Sequence, residues 1–190
     1  MRIMSCFGSP RADGNTAKVL AWVEAQWRSD GHTVERVSLA EHALSGCREC
    51  FACKSGKIRL CAVKDDANAL YERLLAADLV LLATPLFCWN FTAQMKPFID
   101  RMFCLTSGPD DGGDYTSAVE GKPFALLMTS AGPVAGNGEI LVRTYESMIG
   151  YLKAMDAGQF LVPGCTQPSA IGEDVRRQAT AFAARLGAIR

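Results

Sequence analysis

The chain has 190 residues, 49% of them apolar, and its 20 basic residues balance 20 acidic ones. That length suits one domain over 1–190 with a full hydrophobic core, and the charge balance excludes an electrostatic footprint for nucleic acid or anionic lipid. No apolar run reaches the roughly 20 residues of a membrane helix and no signal-peptide core is present, so the chain is expected in the cytoplasm with reduced cysteines.

In chain order, "RIMSCF" predicts a buried first strand, followed by the turn "GSPRADGN". A helix is expected from Thr16 to Ser29, with Leu20, Val23 and Trp27 on one face. "TVERVSL" (33–39) alternates and predicts a less buried strand. A cysteine-rich loop at 45–65 follows, then a helix that Asp65 or Asp66 can cap, with Leu70, Leu74 and Leu75 turned inward. "LVLLATP" (79–85) is apolar on both faces, as a central parallel strand must be. "TAQMKPFIDRMFCL" (92–105) predicts a helix in which Pro97 is tolerated near a fresh start. A Gly/Asp-rich loop (107–115), a buried strand (123–131), a helix (138–155), a last strand (159–164) and a closing helix from Ile171 to Leu186 complete the pattern.

Strands alternating with helices imply a three-layer α/β sandwich, a five-stranded parallel sheet covered on both faces. Right-handed crossovers and this length favour the flavodoxin-like order 2-1-3-4-5, and ligands of such sheets bind beyond the carboxyl ends of the strands, at the switch point between strands 1 and 3. The loop there, "GSPRADGNT" (8–16), is neither G-x-G-x-x-G nor a P-loop. It offers Ser9, Arg11, Asn15 and Thr16 around a helix N-terminus, where free N–H groups and the helix dipole favour a phosphate, although the same residues are also ordinary caps. In "TPLFCWNFTAQMK", Phe87, Trp89 and Phe91 crowd the point where a parallel strand releases its chain, either as a platform for a flat ring or as core and interface residues. "TSAGP" (129–133) adds a wall of small residues. Together the three loops suggest a mononucleotide with a flat ring.

The four thiols Cys47, Cys50, Cys53 and Cys61 are spaced C-x2-C-x2-C-x7-C. The first three match the run by which bacterial ferredoxins wrap an iron–sulfur cluster. Cys61 would complete the site across seven residues, with Gly56 allowing the turn, and Arg48, Lys54, Lys57 and Arg59 would offset the negative charge. Zinc modules usually separate two C-x2-C knuckles by a dozen residues or more. A [4Fe–4S] cluster, empty thiols and zinc therefore stand in that order, with disulfides disfavoured in a reducing compartment.

The segments "GSPRADGNTAKVL", "CAVKDDA" and "TPLFCWNFTAQMKPFIDR" resemble the NAD(P)H-dependent FMN reductase group of flavodoxin-like proteins, and within it the iron–sulfur flavoprotein branch. The resemblance spans residues 2 to about 135. It implies that Ser9, Arg11, Asn15 and Thr16 hold the FMN phosphate. It also implies that Pro85, Leu86, Phe87, Cys88, Trp89 and Asn90, with Thr129, Ser130, Ala131 and Gly132, surround the isoalloxazine. The branch carries a compact cysteine motif with a usually shorter last spacing, and members of the family are usually dimers or tetramers with the flavin near a subunit boundary, so the resemblance implies a homodimer or homotetramer.

The two histidines, His32 and His42, lie away from the switch point, and no G-x-S-x-G or H-E-x-x-H motif occurs. No catalytic side chain is assigned, as suits an enzyme whose cofactor carries the electrons. Cys88 is a ring-contact candidate, while Cys6, Cys104 and Cys165 read as small buried hydrophobes. The leading function is an FMN-dependent oxidoreductase with NAD(P)H as donor, or a ferredoxin-linked one, serving a small-molecule or redox-protein acceptor. A non-catalytic flavodoxin-like carrier and a zinc-stabilised module are the alternatives.

Overall fold

In the computed structural model, residues 1–108, 114–167 and 170–189 are described. The strands are β1 (Arg2–Phe7), β2 (Thr33–Ser38), β3 (Leu79–Pro85), β4 (Thr106–Ser107), β5 (Thr116–Ser117), β6 (Pro123–Thr129) and β7 (Met155–Val162). Five of them form a parallel sheet in the order β2-β1-β3-β6-β7, while β4 and β5 make a separate antiparallel pair. Counting the main-sheet strands alone restores the expected order. The short β4–β5 ribbon is what shifts the chain numbering.

Burial explains the order. All of β3 is buried, whereas β2 at one edge alternates between exposed and covered residues. A strand apolar on both faces can be satisfied only in the middle of a covered sheet. The helices are α1 (Asn15–Ser29), α2 (Ala67–Ala76), α3 (Lys96–Asp100), α4 (Glu139–Tyr151) and α5 (Glu173–Gly187). One core cluster packs Leu70, Leu74, Phe98 and Tyr145 against Met4, Val80 and Leu126 on one face of the sheet. The other packs Leu20, Val23, Trp27 and Phe182 against Ile3, Leu81 and Leu127 on the opposite face. Trp27 is buried completely and donates its indole N–H to the Ala183 carbonyl at 2.8 Å, joining α1 to α5.

Several boundaries differ from the sequence pattern for local reasons. The helix expected over 92–105 shrinks to α3 plus a 3-10 turn, Arg101–Leu105. Thr92 stays outside it because its hydroxyl donates to the Gly8 carbonyl at 2.5 Å. The last strand begins at Met155 rather than Gln159, since its exposed early residues hide it from an apolar-run criterion. Before it, Lys153 turns the chain with φ 50°, so α4 stops at Tyr151. The closing helix starts at Glu173, and Ile171 is instead buried as a core residue. Leu75 is only half-buried, and so is Cys165, whereas Cys6 and Cys104 are buried as expected. Part of the Gly/Asp-rich loop expected at 107–115, residues 109–113, lies outside the described residues. Among the described residues no helix is long and apolar enough to cross a membrane.

Candidate functional site

The loops after β1, β3 and β6 meet at the carboxyl end of the sheet. Gly8 donates its N–H to the Ala83 carbonyl at 2.8 Å, and a side chain there would meet Met95 within 2.9 Å, so only glycine lets the loop pass. Ser9 is buried and closes a local turn, its hydroxyl accepting from the Arg11 N–H at 3.2 Å. Helix α1 starts after Gly14 with no side-chain cap and no acidic residue in its first turn. The Arg11 side chain is exposed and folds over Gly14, with Nε 3.5 Å from where a β-carbon would stand. A cation and an uncapped helix N-terminus are therefore side by side, the pairing that stabilises a phosphate.

Asn15 and Thr16 are buried. Thr16 Oγ1 and Thr129 Oγ1 share a hydrogen bond of 2.7 Å, which ties the phosphate-loop candidates to the end of β6. Asn15 Nδ2 donates to the Cys165 carbonyl at 3.0 Å, and Cys165 N–H in turn donates to the Ser130 carbonyl at 2.8 Å. Among the described residues Asn15 Oδ1, which is buried, has no hydrogen-bond partner. An orphaned buried acceptor is costly, and a ligand hydroxyl or amide that donates to it would remove the cost.

Pro85 pairs with Thr129 in the sheet, and Leu86 N–H donates to the Thr129 carbonyl at 2.8 Å. The chain then turns sharply. Phe87 and Asn90 exchange hydrogen bonds of 3.1 and 3.0 Å, and Cys88 and Trp89 between them both have left-handed φ, 45° and 61°. Two successive positive φ values define a mirror-image two-residue turn that normally takes Asn-Gly. With Cys-Trp it stores strain of about 1–3 kcal/mol at each residue. The turn lifts both rings into solvent, Phe87 at 43% and Trp89 at 55% exposure, while Phe91 is buried. A cleft of about 290 Å³ lies beside the turn, walled by Leu86, Cys88, Trp89, Ser130, Ala131, Gly132 and Asn137. Asn137 carries no sequence signal. It reaches the wall because its amide donates to the Pro133 carbonyl at 3.0 Å.

The cysteine loop forms a second site. Cys47, Cys50, Cys53 and Cys61 line one cavity of about 280 Å³, together with Cys104 and Arg101. Among the described residues no three histidine, cysteine or acidic groups converge closely enough to hold one metal ion. Glu49 and Phe51 have left-handed φ, and Gly56 makes the expected turn with φ 70°. Cys61 is clamped through its backbone, N–H to Asn68 Oδ1 at 3.1 Å and carbonyl from Asn68 Nδ2 at 2.8 Å. Burial raises the Cys53 thiol, and it pushes Cys104 up to about 12, with nearby Cys61 and Cys53 adding to the effect. Of the cations expected to offset cluster charge, Arg48 lines the cavity, while Lys54 and Arg59 are engaged elsewhere. Lys54 donates to the Phe103 and Thr106 carbonyls at 2.9 and 2.6 Å, and Arg59 pairs with exposed Glu72. The buried cation at the cavity is Arg101, some 40 residues from the cysteine to which it donates.

His32 and His42 stand apart from both sites, the first 3.3 Å from the N-terminal amine and the second 3.3 Å from Asp66.

Fold and loops define an α/β protein whose loops after β1, β3 and β6 meet at the sheet switch point. The chain belongs to the NADPH-dependent FMN reductase family, whose sequence model matches residues 1–166. It is 33% identical over 120 residues to an iron–sulfur flavoprotein of Archaeoglobus fulgidus, covering 63% of this chain and 53% of that protein. An iron–sulfur flavoprotein of Methanosarcina thermophila is 30% identical over 105 residues, covering 55% and 54%. These matches span about half the length of the curated relatives. Among solved structures, an FMN-dependent NADH-azoreductase of Bacillus anthracis in complex with FMN superposes with a TM-score of 0.74 at 12% identity, covering 98% of this chain and 100% of that one. An NAD(P)H:quinone oxidoreductase of Methanothermobacter marburgensis gives 0.72 at 18% identity, covering 98% and 97%. At those identities the superpositions establish the fold.

Proposed function

We propose that the chain is an FMN-dependent oxidoreductase that takes electrons from NAD(P)H and delivers them to a small-molecule or redox-protein acceptor. The observation that carries this reading is the α1 N-terminus, uncapped, flanked by Arg11 and holding the unpartnered acceptor Asn15 Oδ1. These residues fit FMN: one phosphate at the helix end, a donor group at Asn15, and an isoalloxazine against the Phe87–Asn90 turn and the Thr129–Gly132 wall. Bound FMN supplies hydride acceptance and one- or two-electron release. The protein's part is to orient the ring and exclude water around it. No pyrophosphate fingerprint exists, so the nicotinamide is a passing donor rather than a resident.

The cysteine cavity supports a [4Fe–4S] cluster as a one-electron relay to the flavin. Four thiols line one cavity of about 280 Å³, and four is the cysteine number of such a cluster, while the three-in-a-row spacing departs from that of paired zinc knuckles. The proposed flavin cleft, about 290 Å³, is at the low end of the roughly 300–1,000 Å³ usual for ligand sites, and the exposed rings of Trp89, in its wall, and Phe87, in the same turn, are left facing solvent. Both features favour a homodimer or homotetramer in which a second copy completes the wall.

Anaerobic purification tests the reading. Denatured protein should release one FMN per chain, and NADH or NADPH should bleach the bound flavin. Stoichiometric FAD, or no flavin after reconstitution, overturns it. A flavin inert to both nicotinamides favours the carrier alternative.

A further inference from the structure

Arg101 is a guanidinium 1% exposed beside the cysteine cavity. Its Nη1 donates to Asp65 Oδ2 at 2.6 Å and to the Ser45 carbonyl at 3.0 Å. Its Nη2 donates to the Val63 carbonyl at 3.3 Å. Its Nε points at a cysteine, 3.3 Å from Cys61 Sγ. Ser45 precedes the four cysteines and Val63 and Asp65 follow them, so one side chain ties the two ends of the loop together.

We propose that Arg101 is the positioning residue of the cysteine site, closing the ends of the loop around the cavity and directing its Nε–H at the sulfur of Cys61 when a cluster is bound. This rests on the cluster reading above. The geometry excludes lysine as an equivalent, because an ammonium cannot reach four acceptors spread in the plane of a guanidinium fork. Burying an arginine–aspartate pair is a poor route to stability alone, since desolvation consumes most of the attraction. Here Asp65 cancels the unit charge, so what reaches Cys61 is chiefly the dipole of the Nε–H bond. A hydrogen bond to a ligand sulfur stabilises the reduced cluster, whose sulfurs carry more negative charge, and raises its potential. The same bond orients the thiolate and should slow cluster loss.

The test compares the parent with Arg101→Lys and Arg101→Gln after anaerobic reconstitution with ferrous iron and sulfide. FMN content and melting temperature report on the fold. Arg101→Lys keeps the charge and lacks the Nε–H. It should bind FMN normally, lose iron to a chelator several-fold faster, and show a cluster midpoint potential shifted in the negative direction. Iron loss and potential equal to the parent's, in variants that load iron, overturn the role of Arg101 alone. A parent that takes up FMN but no iron overturns the cluster reading and the proposal with it. Should neither variant fold, the parent labelled with 15N-arginine decides: a 15N hyperfine coupling on the reduced cluster's electron paramagnetic resonance signal is expected, and its absence overturns the contact.

Discussion

Asn15 has one end of its amide satisfied and the other not. An unsatisfied buried acceptor costs about 1–3 kcal/mol, and the Nδ2 bond to the Cys165 carbonyl returns about 1 kcal/mol. Asn15→Ala removes both, so the melting temperature of the flavin-free protein should hold or rise by a few degrees. FMN affinity should fall roughly tenfold, because a hydrogen bond made only with ligand is lost. Fluorescence titration and thermal melting of the same preparation separate the two. A lower melting temperature with unchanged affinity would make Asn15 a purely structural residue. Trp89 should behave similarly for another reason. It is 55% exposed, so Trp89→Ala removes little packing from the folded chain, yet FMN binding should weaken by about 1–3 kcal/mol if the ring covers the isoalloxazine. Unchanged affinity would mean that Trp89 faces something other than flavin. Cys88, strained at φ 45°, is the opposite case: Cys88→Gly should leave the flavin-free protein as stable or about 1 kcal/mol more so in urea denaturation. A clear loss of stability would show that the cysteine side chain, rather than the turn, is what the site needs.

Among the elements, the cysteine loop depends on an ion pair of which its own sequence contains only one member, Asp65, the other being Arg101. Asp65 accepts from Arg101, from the Ser45 N–H at 2.8 Å and from the Ala67 N–H at 3.1 Å, which also makes it the residue that steadies the start of α2. Burial alone would raise its pKa, but Arg101 and the two N–H groups outweigh burial and hold it below the ordinary 3.8. Because the folded value lies below the unfolded one, the stability this carboxylate contributes is present above the unfolded pKa and lost as pH falls through the folded one. Asp65→Asn strands a buried guanidinium and should cost about 3–5 kcal/mol at neutral pH. The gap between variant and parent in urea denaturation should narrow as pH drops below the ordinary aspartate value. A gap that stays constant through that range would show that the carboxylate charge is not what matters. The strands and long helices were legible because continuous apolar runs and 3.6-residue spacing report burial directly, as in β3 and α1. Edge strand β7 was not, since its first residues are exposed and Gly158 takes φ 137° where Arg185 crowds it. The four thiols were legible from spacing. Cys104 and Arg101 were not, because a motif is local in sequence and these residues reach the cavity only through the tertiary packing of the turn after α3.

At the scale of the whole molecule, the parallel sheet gathers loops from residues 8–14, 86–92 and 130–138 at one end, and a single ligand would bridge all of them. Ligand that binds only the folded state stabilises it by about 2.7 kcal/mol at a hundred times its Kd. For a chain of 190 residues this corresponds to a rise in melting temperature of roughly 5–10 °C. The phosphate provides the sharper test. In the proposed site its interactions with the α1 N-terminus and Arg11 would combine a helix-dipole contribution of about 0.3–1 kcal/mol with charge-assisted hydrogen bonds of about 1.5–3 kcal/mol each. Riboflavin has the same ring without the phosphate and so should bind about 100-fold more weakly. At the concentration where FMN gives its full shift, riboflavin should then raise the melting temperature by only about 1–2 °C. FAD should also fall short of FMN, since the loop after β1 can cradle one phosphate and has no glycine fingerprint for a second. Melting curves of flavin-free protein with each of the three flavins measure this directly. Equal shifts from riboflavin and FMN would place the phosphate in solvent and leave the uncapped end of α1 without a ligand role, while a larger shift from FAD would reassign the site to a dinucleotide.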